Sequence, residues 1–505
     1  MPSHVGRDPL VIAIDLSTTA CKVLAVSGSG DVAAQTRVPL DKVSPKPGWQ
    51  EQDAPSWWSA LCLATRKLMS GIDQKRVRAM SVAHQRETFV CLDEEGSPLR
   101  RAILWLDARA TAEVDMLGSA DVHGVSGRPP STTPSFYKLA WLRTNEPDVI
   151  DRTAMVADVH AYVAHRLTGR WATSWASADA LGLIDIHHFT YSPSLLQMVG
   201  LREHCLPELV PPGAVLGGVS TEAARATGLP PGLPVIAGAG DGQCAGLGAA
   251  VCGGADGYLN LGTAVTLGAH SAECRISPTL RTLASPMAGS WMLESALVSG
   301  IHSIEWFRRM VIGDASPEAL AAIEAEAADV PAGADGLLFT PYLVHGATPY
   351  RDAATRGAWV GLRDYHDRGH LYRAILEGIA FEQRLVVGML ERDLGTPIPR
   401  LRVSGGGAGS RLWVQLLADI LDRPLEVSGE EVTARGAAVL AALGVASKPA
   451  SYAQELAVRM AGRWREVLPR ASSRKQYRRQ GRAYEDLYPS LTPTFRGMAH
   501  PPDGV

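Results

Sequence analysis

"VIAIDLSTTACKVLAV", residues 11–26, decides the fold. Two short runs rich in branched apolar side chains, 11–14 and 23–26, read as buried strands. Asp15 interrupts the first run, and Ser17, Thr18 and Thr19 form a hydroxyl-rich turn before Lys22. Burying a carboxylate at a strand end is unfavourable unless something beside it uses the charge. The stretch therefore reads as a strand–turn–strand hairpin whose tip meets a polar ligand.

The second half of the chain starts over. "GYLNLGTAVTLGAH", residues 257–270, has the same form, and its Leu-Asn-Leu-Gly-Thr-Ala-Val at 259–265 can be laid on residues 14–20. Two hairpins with polar tips, one opening each half, predict a duplicated α/β domain with a cleft between the copies. A length of 505 residues agrees, being too great for one ordinary domain. A third turn, Gly405 to Gly409, lies between a strand-like run and the helical "SRLWVQLLADIL". Such turns aim several backbone N–H groups at one point, which suits phosphate oxygens. Any one of them alone reads first as a tight turn chosen for geometry, but matching places in two halves favour phosphate. No GxxxxGK[ST] occurs, which excludes a P-loop, and no GxGxxG follows a strand.

Between these landmarks strand-like and helix-like segments alternate. "DAPSWWSALCLATRKLMSG" predicts a helix with Asp53 as N-cap, Pro55 in the first turn and Gly71 past the end. Its apolar face would be Trp58, Leu61, Cys62, Leu68 and Met69. "LPVIAGAGDGQCAGLGAAV" reads as a strand, a glycine turn and a helix of small residues, and residues 371–394 as a helix ended by Gly395. The domains are placed at 1–247 and 248–485, with a disordered tail over 486–505.

Composition excludes several classes. With 46% hydrophobic and 20% charged residues, a net charge of −3 and no basic stretch, neither nucleic acid nor an anionic membrane is an expected partner. Arg474, Lys475, Arg478, Arg479 and Arg482 read as the solvated face of a late helix. Neither a signal pattern nor a membrane-length apolar run is present, so the expected compartment is the cytoplasm. Seven scattered cysteines without a CxxC pair read as reduced thiols. His366 and His370 stand four apart without a third metal ligand in view.

Three groups carry candidate chemistry. Asp15 is placed to hold Mg²⁺ through water beside a triphosphate. Asp241 is either a helix N-cap or a base taking a proton from an attacking hydroxyl. Gln85, Arg86, Glu87 and Thr88 lie between strand-like runs, with "ILWLD" at 103–107 soon after. Arg beside Glu is either a surface ion pair or a donor and acceptor set for polyol hydroxyls, with Trp105 against the carbon chain.

These segments together resemble the FGGY family of carbohydrate kinases over nearly the whole chain, to about residue 465. "IDLSTTACK" and "LNLGTA" resemble its two phosphate motifs, "KPGWQEQDAPSWW" its PGWxEQDPxxWW segment, and "SFYKLAWLRTN" its first signature. "SGGGAGSRLWVQLLADILDRPLEV" resembles its adenosine loop. The resemblance implies duplicated actin-like ATPase (ribonuclease H-like) domains flanking a cleft. It implies Asp241 as catalytic base, Asp15 near the metal, and ATP held by Ser17, Thr18, Thr19, Lys22, Gly262, Thr263, Gly300, Gly405, Gly406, Gly407 and Ser410. Gln85, Arg86, Glu87, Trp105 and Gln243 would hold the sugar.

Ser17 stands where the family usually has Gly, and Thr133 opens the first signature in place of its usual residues. Gln-Arg-Glu-Thr resembles the glycerol kinases, whereas the overall segment pattern resembles the xylulose kinases. The expectation is an ATP- and Mg²⁺-dependent kinase acting on a primary hydroxyl of a pentulose, with glycerol or another short polyol as the alternative. An actin- or chaperone-like ATPase is the outside reading, which has no need of the "QRET" and "ILWLD" pocket. The expected partners are a small sugar or polyol and, as assembly, a homodimer.

Overall fold

The opening stretch forms two antiparallel strands, β1 (Leu10–Leu16) and β2 (Ala20–Ser27), with Asp15 opposite Lys22. All of β1 is buried, so both faces of the sheet are covered and the strand reads as a continuous apolar run rather than an alternation. The computed structural model describes residues 8–498 apart from 254–255, 263, 315, 345–348, 353, 447 and 449–450.

Next come β3 (Val32–Pro39), helix α1 (Ala54–Met69), β4 (Val77–His84), α2 (Ser135–Asn145), α3 (Val159–Thr168), β5 (Val215–Gly218), β6 (Pro234–Gly240) and α4 (Asp241–Gly248). The sheet order is β5-β6-β4-β1-β2-β3, with β4 parallel to β1 and β6 parallel to β4. In α1 it is Trp57, not Trp58, that is fully buried, together with Leu61, Leu68 and Met69. Asp53 occupies the N-cap position without capping, because its carboxylate pairs with Arg101 at 2.9 Å.

The second copy repeats this order. β7 (Gly257–Leu261) and β8 (Val265–Ser271) form the matching hairpin, followed by β9 (Trp291–Leu297), α5 (Gly300–Phe307) and α6 (Arg368–Leu394). Then come β10 (Leu401–Ser404), α7 (Arg411–Leu421) and β11 (Leu425–Val427). The sequence β9-β8-β7-β10-β11 reproduces β3-β2-β1-β4-β6, again with parallel pairing of β10 to β7 and β11 to β10. Both hairpin tips have three residues, 17–19 and 262–264, as the overlay of residues 14–20 on 259–265 required. The duplication also equates two loops of unlike sequence: 85–88 leave β4 where 405–409 leave β10.

The compact units are not two consecutive blocks. One comprises Met1–Gly254, His270–Leu293 and Glu431–Gly462; the other comprises Ala255–Ala269, Glu294–Glu430 and Arg463–Val505. The division expected near 247 thus misses the return of α8 (Val432–Val445) to the first unit. This helix packs on β4, β1, β6 and α4 through small residues. A Cβ on Gly436 would stand 2.0 Å from the Cys244 carbonyl oxygen, an approach that only glycine permits.

The tail is also ordered further than its composition suggested. After α9 (Ala471–Glu485), α10 (Leu487–Met498) buries Phe495, and Tyr488 stacks on Tyr350 at 3.6 Å and donates to Asp352 at 2.9 Å. Residues 499–505 lie outside the described residues. The basic residues of α9 are exposed, and Arg474 and Arg478 pair with Asp422. His370 forms a capping box with Asp367 at the start of α6, and no cluster of metal-binding side chains occurs among the described residues. Among them, too, no helix is long and apolar enough to cross a membrane.

Candidate active site

Strand β1 delivers Asp15 to the base of the first hairpin tip. The residue is only 6% exposed, and its Oδ1 has no hydrogen-bond partner. Burial pushes this carboxyl up to about 7; Lys22 opposes the shift, and the charges of Asp241 and Glu431 add to it. Lys22 itself is tethered, its Nζ 2.7 Å from Oε2 of Glu431, a residue that no sequence motif singled out. In the tip, Ser17 turns both its N–H and its hydroxyl onto the Ala20 carbonyl, while Thr19 is exposed.

Thr18 faces elsewhere than a bare phosphate loop would require. Its hydroxyl donates to Gln85 Oε1 at 3.0 Å and accepts from Trp105 Nε1 at 3.0 Å. Gln85 Nε2 donates to Gln52 Oε1 at 3.0 Å, and Gln52 Nε2 in turn donates to the carbonyls of Thr18 and Asp41. Trp57 Nε1 also donates to Gln52 Oε1, at 2.7 Å. The "GWQEQD" segment is therefore the frame that joins the hairpin tip to the residues after β4.

Arg86 and Glu87, adjacent in sequence, do not form the surface ion pair that is their ordinary fate; both are buried and they turn to different partners. Arg86 Nε lies 2.9 Å from Asp241 Oδ1, and a terminal nitrogen donates to Gln243 Oε1 at 3.3 Å. Glu87, with a left-handed φ of 54°, receives Arg128 at 2.9 Å and Arg281 at 3.1 Å on Oε1. Arg128 reaches Asp179 at 3.1 Å, and Gln243 Nε2 donates to Asp179 and to the Ala176 carbonyl. Gln243, expected to touch sugar, is thus fully buried, with its amide engaged in holding Arg86 and Asp179. Beneath them Lys138 donates to the carbonyls of Leu104 at 3.0 Å and Glu87 at 3.3 Å. Burial lowers Lys138 to about 7 and pulls Arg128 down, and it raises Asp179.

Sequence reasoning missed Arg128, Asp179, Arg281 and Gln52 as members of this network. The first three are far apart in the chain and carry no local signal. Lys138 did carry one, being a lysine within the otherwise apolar start of α2.

At the end of β6 the chain turns into α4, and Asp241 is its first helical residue; Gly240 takes the N-cap position. A carboxylate in a first helical turn is favourably placed against the helix dipole. Asp241 Oδ1 accepts from the Gly242 N–H at 2.7 Å, and the side chain remains 42% exposed. Its environment therefore fixes it in place and leaves it accessible.

The second unit supplies the other predicted residues. Gly262 begins the second tip, while Thr263 lies outside the described residues. Gly300 opens α5, where a Cβ would stand 2.4 Å from a Val265 methyl group. In the 405–409 loop, Gly405 and Gly407 pack against Asn260, Leu261 and Trp413, whereas Gly406 is exposed with open space beside it. Ser410 caps α7, its Oγ accepting from the Trp413 N–H at 3.1 Å.

A repeated α/β unit of this strand order places the protein in the actin-like ATPase fold class, and the enzymes it matches within that class are ATP-dependent sugar kinases. The chain belongs to the FGGY family of carbohydrate kinases: the family's N-terminal domain matches residues 10–248 and its C-terminal domain residues 257–445. It is similar to a xylulose kinase of Bacillus subtilis, 29% identical over 487 residues, covering 95% of this chain and 96% of the relative. A glycerol kinase of Gloeobacter violaceus is 31% identical over 450 residues, covering 86% of this chain and 88% of the relative. The crystal structure of a xylulose kinase from Rhodospirillum rubrum superposes with a TM-score of 0.87 at 30% identity, covering 96% of this chain and all of that one.

Proposed function

We propose that this kinase transfers the γ-phosphate of ATP to a primary hydroxyl of a pentulose of the xylulose kind, with Asp241 as general base. The observation that carries this reading is the Asp241 carboxylate, held by Arg86 Nε and the Gly242 N–H yet 42% exposed. It accepts the proton of the attacking hydroxyl as the new O–P bond forms and the bond from the γ-phosphorus to the β-phosphate oxygen breaks, releasing ADP. Gln85, Arg86, Glu87 and Trp105 make the sugar wall, and Lys138 fixes the backbone that presents it. By family resemblance Ser17, Thr18, Thr19 and Lys22 of the first unit, and Gly262, Thr263 and Gly300 of the second, are assigned to phosphate, and Gly405, Gly406, Gly407 and Ser410 to adenosine.

The residues also fit Mg²⁺. Asp15 presents a buried carboxylate oxygen without a protein partner, which suits a cation bound through water. When bound, the ion would neutralise charge on the triphosphate.

Relatives named xylulose kinases support the pentulose; Arg86 and Glu87 of "QRET" and the glycerol kinase relative support a short polyol as second reading. An ADP-release assay across pentuloses, L-fuculose, glycerol and four-carbon polyols, with a no-acceptor control, decides between them. A pentulose should give the highest kcat/KM. Glycerol in first place would establish the second reading, and acceptor-independent ADP release alone would reject both.

A further inference from the structure

Strand β6 carries a bulge just before Asp241. Ile236 pairs with Ser81 and Ala239 with Ala83, so Ala237 and Gly238 together face the single Val82. A bulge takes backbone groups out of the ladder, and buried ones need other partners. Here the Gly238 N–H donates to His160 Nε2 at 2.9 Å, and the Gly238 carbonyl accepts from Ser174 Oγ at 2.5 Å. A Cβ on Gly238 would lie 1.8 Å from the Val82 carbonyl oxygen, so no other residue fits the bulge without moving β4.

Since Nε2 accepts, the ring proton sits on Nδ1 and donates to Thr173 Oγ1 at 3.1 Å. The Thr173 hydroxyl donates to Asp158 Oδ2 at 3.1 Å, and Asp158 Oδ1 caps α3 by accepting from the Ala161 N–H at 2.7 Å. Each link donates in one direction, from the bulge to the Asp158 cap of α3. His160 is 1% exposed, and burial, with the neighbouring His84, lowers it to about 3, so the ring stays neutral and keeps its acceptor.

We propose that His160 is a positioning residue: by holding the Gly238 bulge it sets the phase in which β6 delivers Asp241 to Arg86. The inference rests on Asp241 being the base. A one-residue change in strand phase would send following side chains to the opposite face. Smaller shifts matter as well, because a misplacement of about 1 Å in a reacting geometry lowers turnover by about 10²-fold.

Four variants test this with the best acceptor from the panel. His160→Leu removes the acceptor at similar volume, His160→Gln restores an acceptor and a donor, Ser174→Ala releases the carbonyl, and Asp241→Asn removes the base. Folded fraction is followed by circular dichroism and melting. His160→Leu should lower kcat by about 10²-fold while both KM values stay within about threefold. His160→Gln should recover most of the loss, and Ser174→Ala should lower kcat in the same direction. Folded His160→Leu with wild-type kcat, a loss confined to KM, or His160→Gln no better than His160→Leu would overturn the proposal. If His160→Leu does not fold, Ser174→Ala decides, and an unchanged kcat there overturns it. An active Asp241→Asn rejects the base and this inference together, whereas an inactive Asp241→Asn beside an unaffected His160→Leu rejects the inference alone.

Discussion

Asp15 is the residue where the sequence posed its sharpest question, and its energetics follow from the answer. Its carboxyl titrates near 7 in the fold against an ordinary value of 3.8. Between about pH 4 and about pH 7 the folded state keeps a proton that the unfolded state has released, so this group's contribution to stability falls as pH rises through that window. Asp15→Asn should therefore melt above the wild type at pH 8, with the gap closing toward pH 4. The same variant should lose the melting shift that Mg²⁺-ATP gives the wild type. Differential scanning fluorimetry across pH reads both effects; a gap that persists at pH 4 would place its origin elsewhere. At Asp241, replacement by Asn should lower kcat by about 10²- to 10⁴-fold, the range for a positioned base. Wild-type turnover in the ADP assay would reduce Asp241 to a helix-terminus residue.

Among the elements, the first hairpin is tied through its tip to the residues after β4. The hydroxyl hydrogen of Thr18 is directed at Gln85 and its oxygen receives Trp105. Thr18→Val removes both bonds, worth about 0.5–1.5 kcal/mol each, so sugar KM should rise by up to roughly 5- to 160-fold and Trp105 emission should shift. A variant whose only change is ATP affinity would detach the tip from the sugar wall. The crossing of α4 and α8 is governed by contact distance. Gly436→Ala drives a methyl group into the Cys244 carbonyl, and overpacking of this kind destabilises by about 1–3 kcal/mol or more. A melting temperature equal to the wild type would mean that the helices separate without loss.

For the whole molecule the consequence is that the first half of the sequence is completed by a segment from the second. α8, far along the chain, packs on β1, β4, β6 and α4. A fragment ending at residue 254 would expose the apolar surfaces of all four. It should show partial helicity, dye binding and no cooperative melt, and supplying residues 431–462 in trans or by fusion should restore the transition. A sharp, two-state melt of the fragment alone would contradict this. At the other end of the chain, α10 joins Tyr488 to Tyr350 and Asp352, so its helix belongs to the second unit's folded core.

The sequence by itself determined the repeat and the family, and it singled out the polar residues at the strand ends. The hairpins and the turns at 17–19, 262–263 and 405–409 follow from local apolar runs and turn residues, which act over a few positions. It also marked Asp15 and Asp241, because a carboxylate at the end of a buried strand conflicts with its surroundings. What only the tertiary structure decided is the partner of each charge. Arg86 turns to Asp241 rather than to its neighbour Glu87, Glu87 draws Arg128 and Arg281, and Gln243 turns inward. These pairings join residues up to 194 positions apart, and no local pattern encodes them. Once the sheet is covered on both faces, every buried polar group must find whatever partner the topology brings within about 3 Å. His160 is the clearest case, a helix residue whose role exists only because a bulge in β6 leaves one N–H without a strand partner.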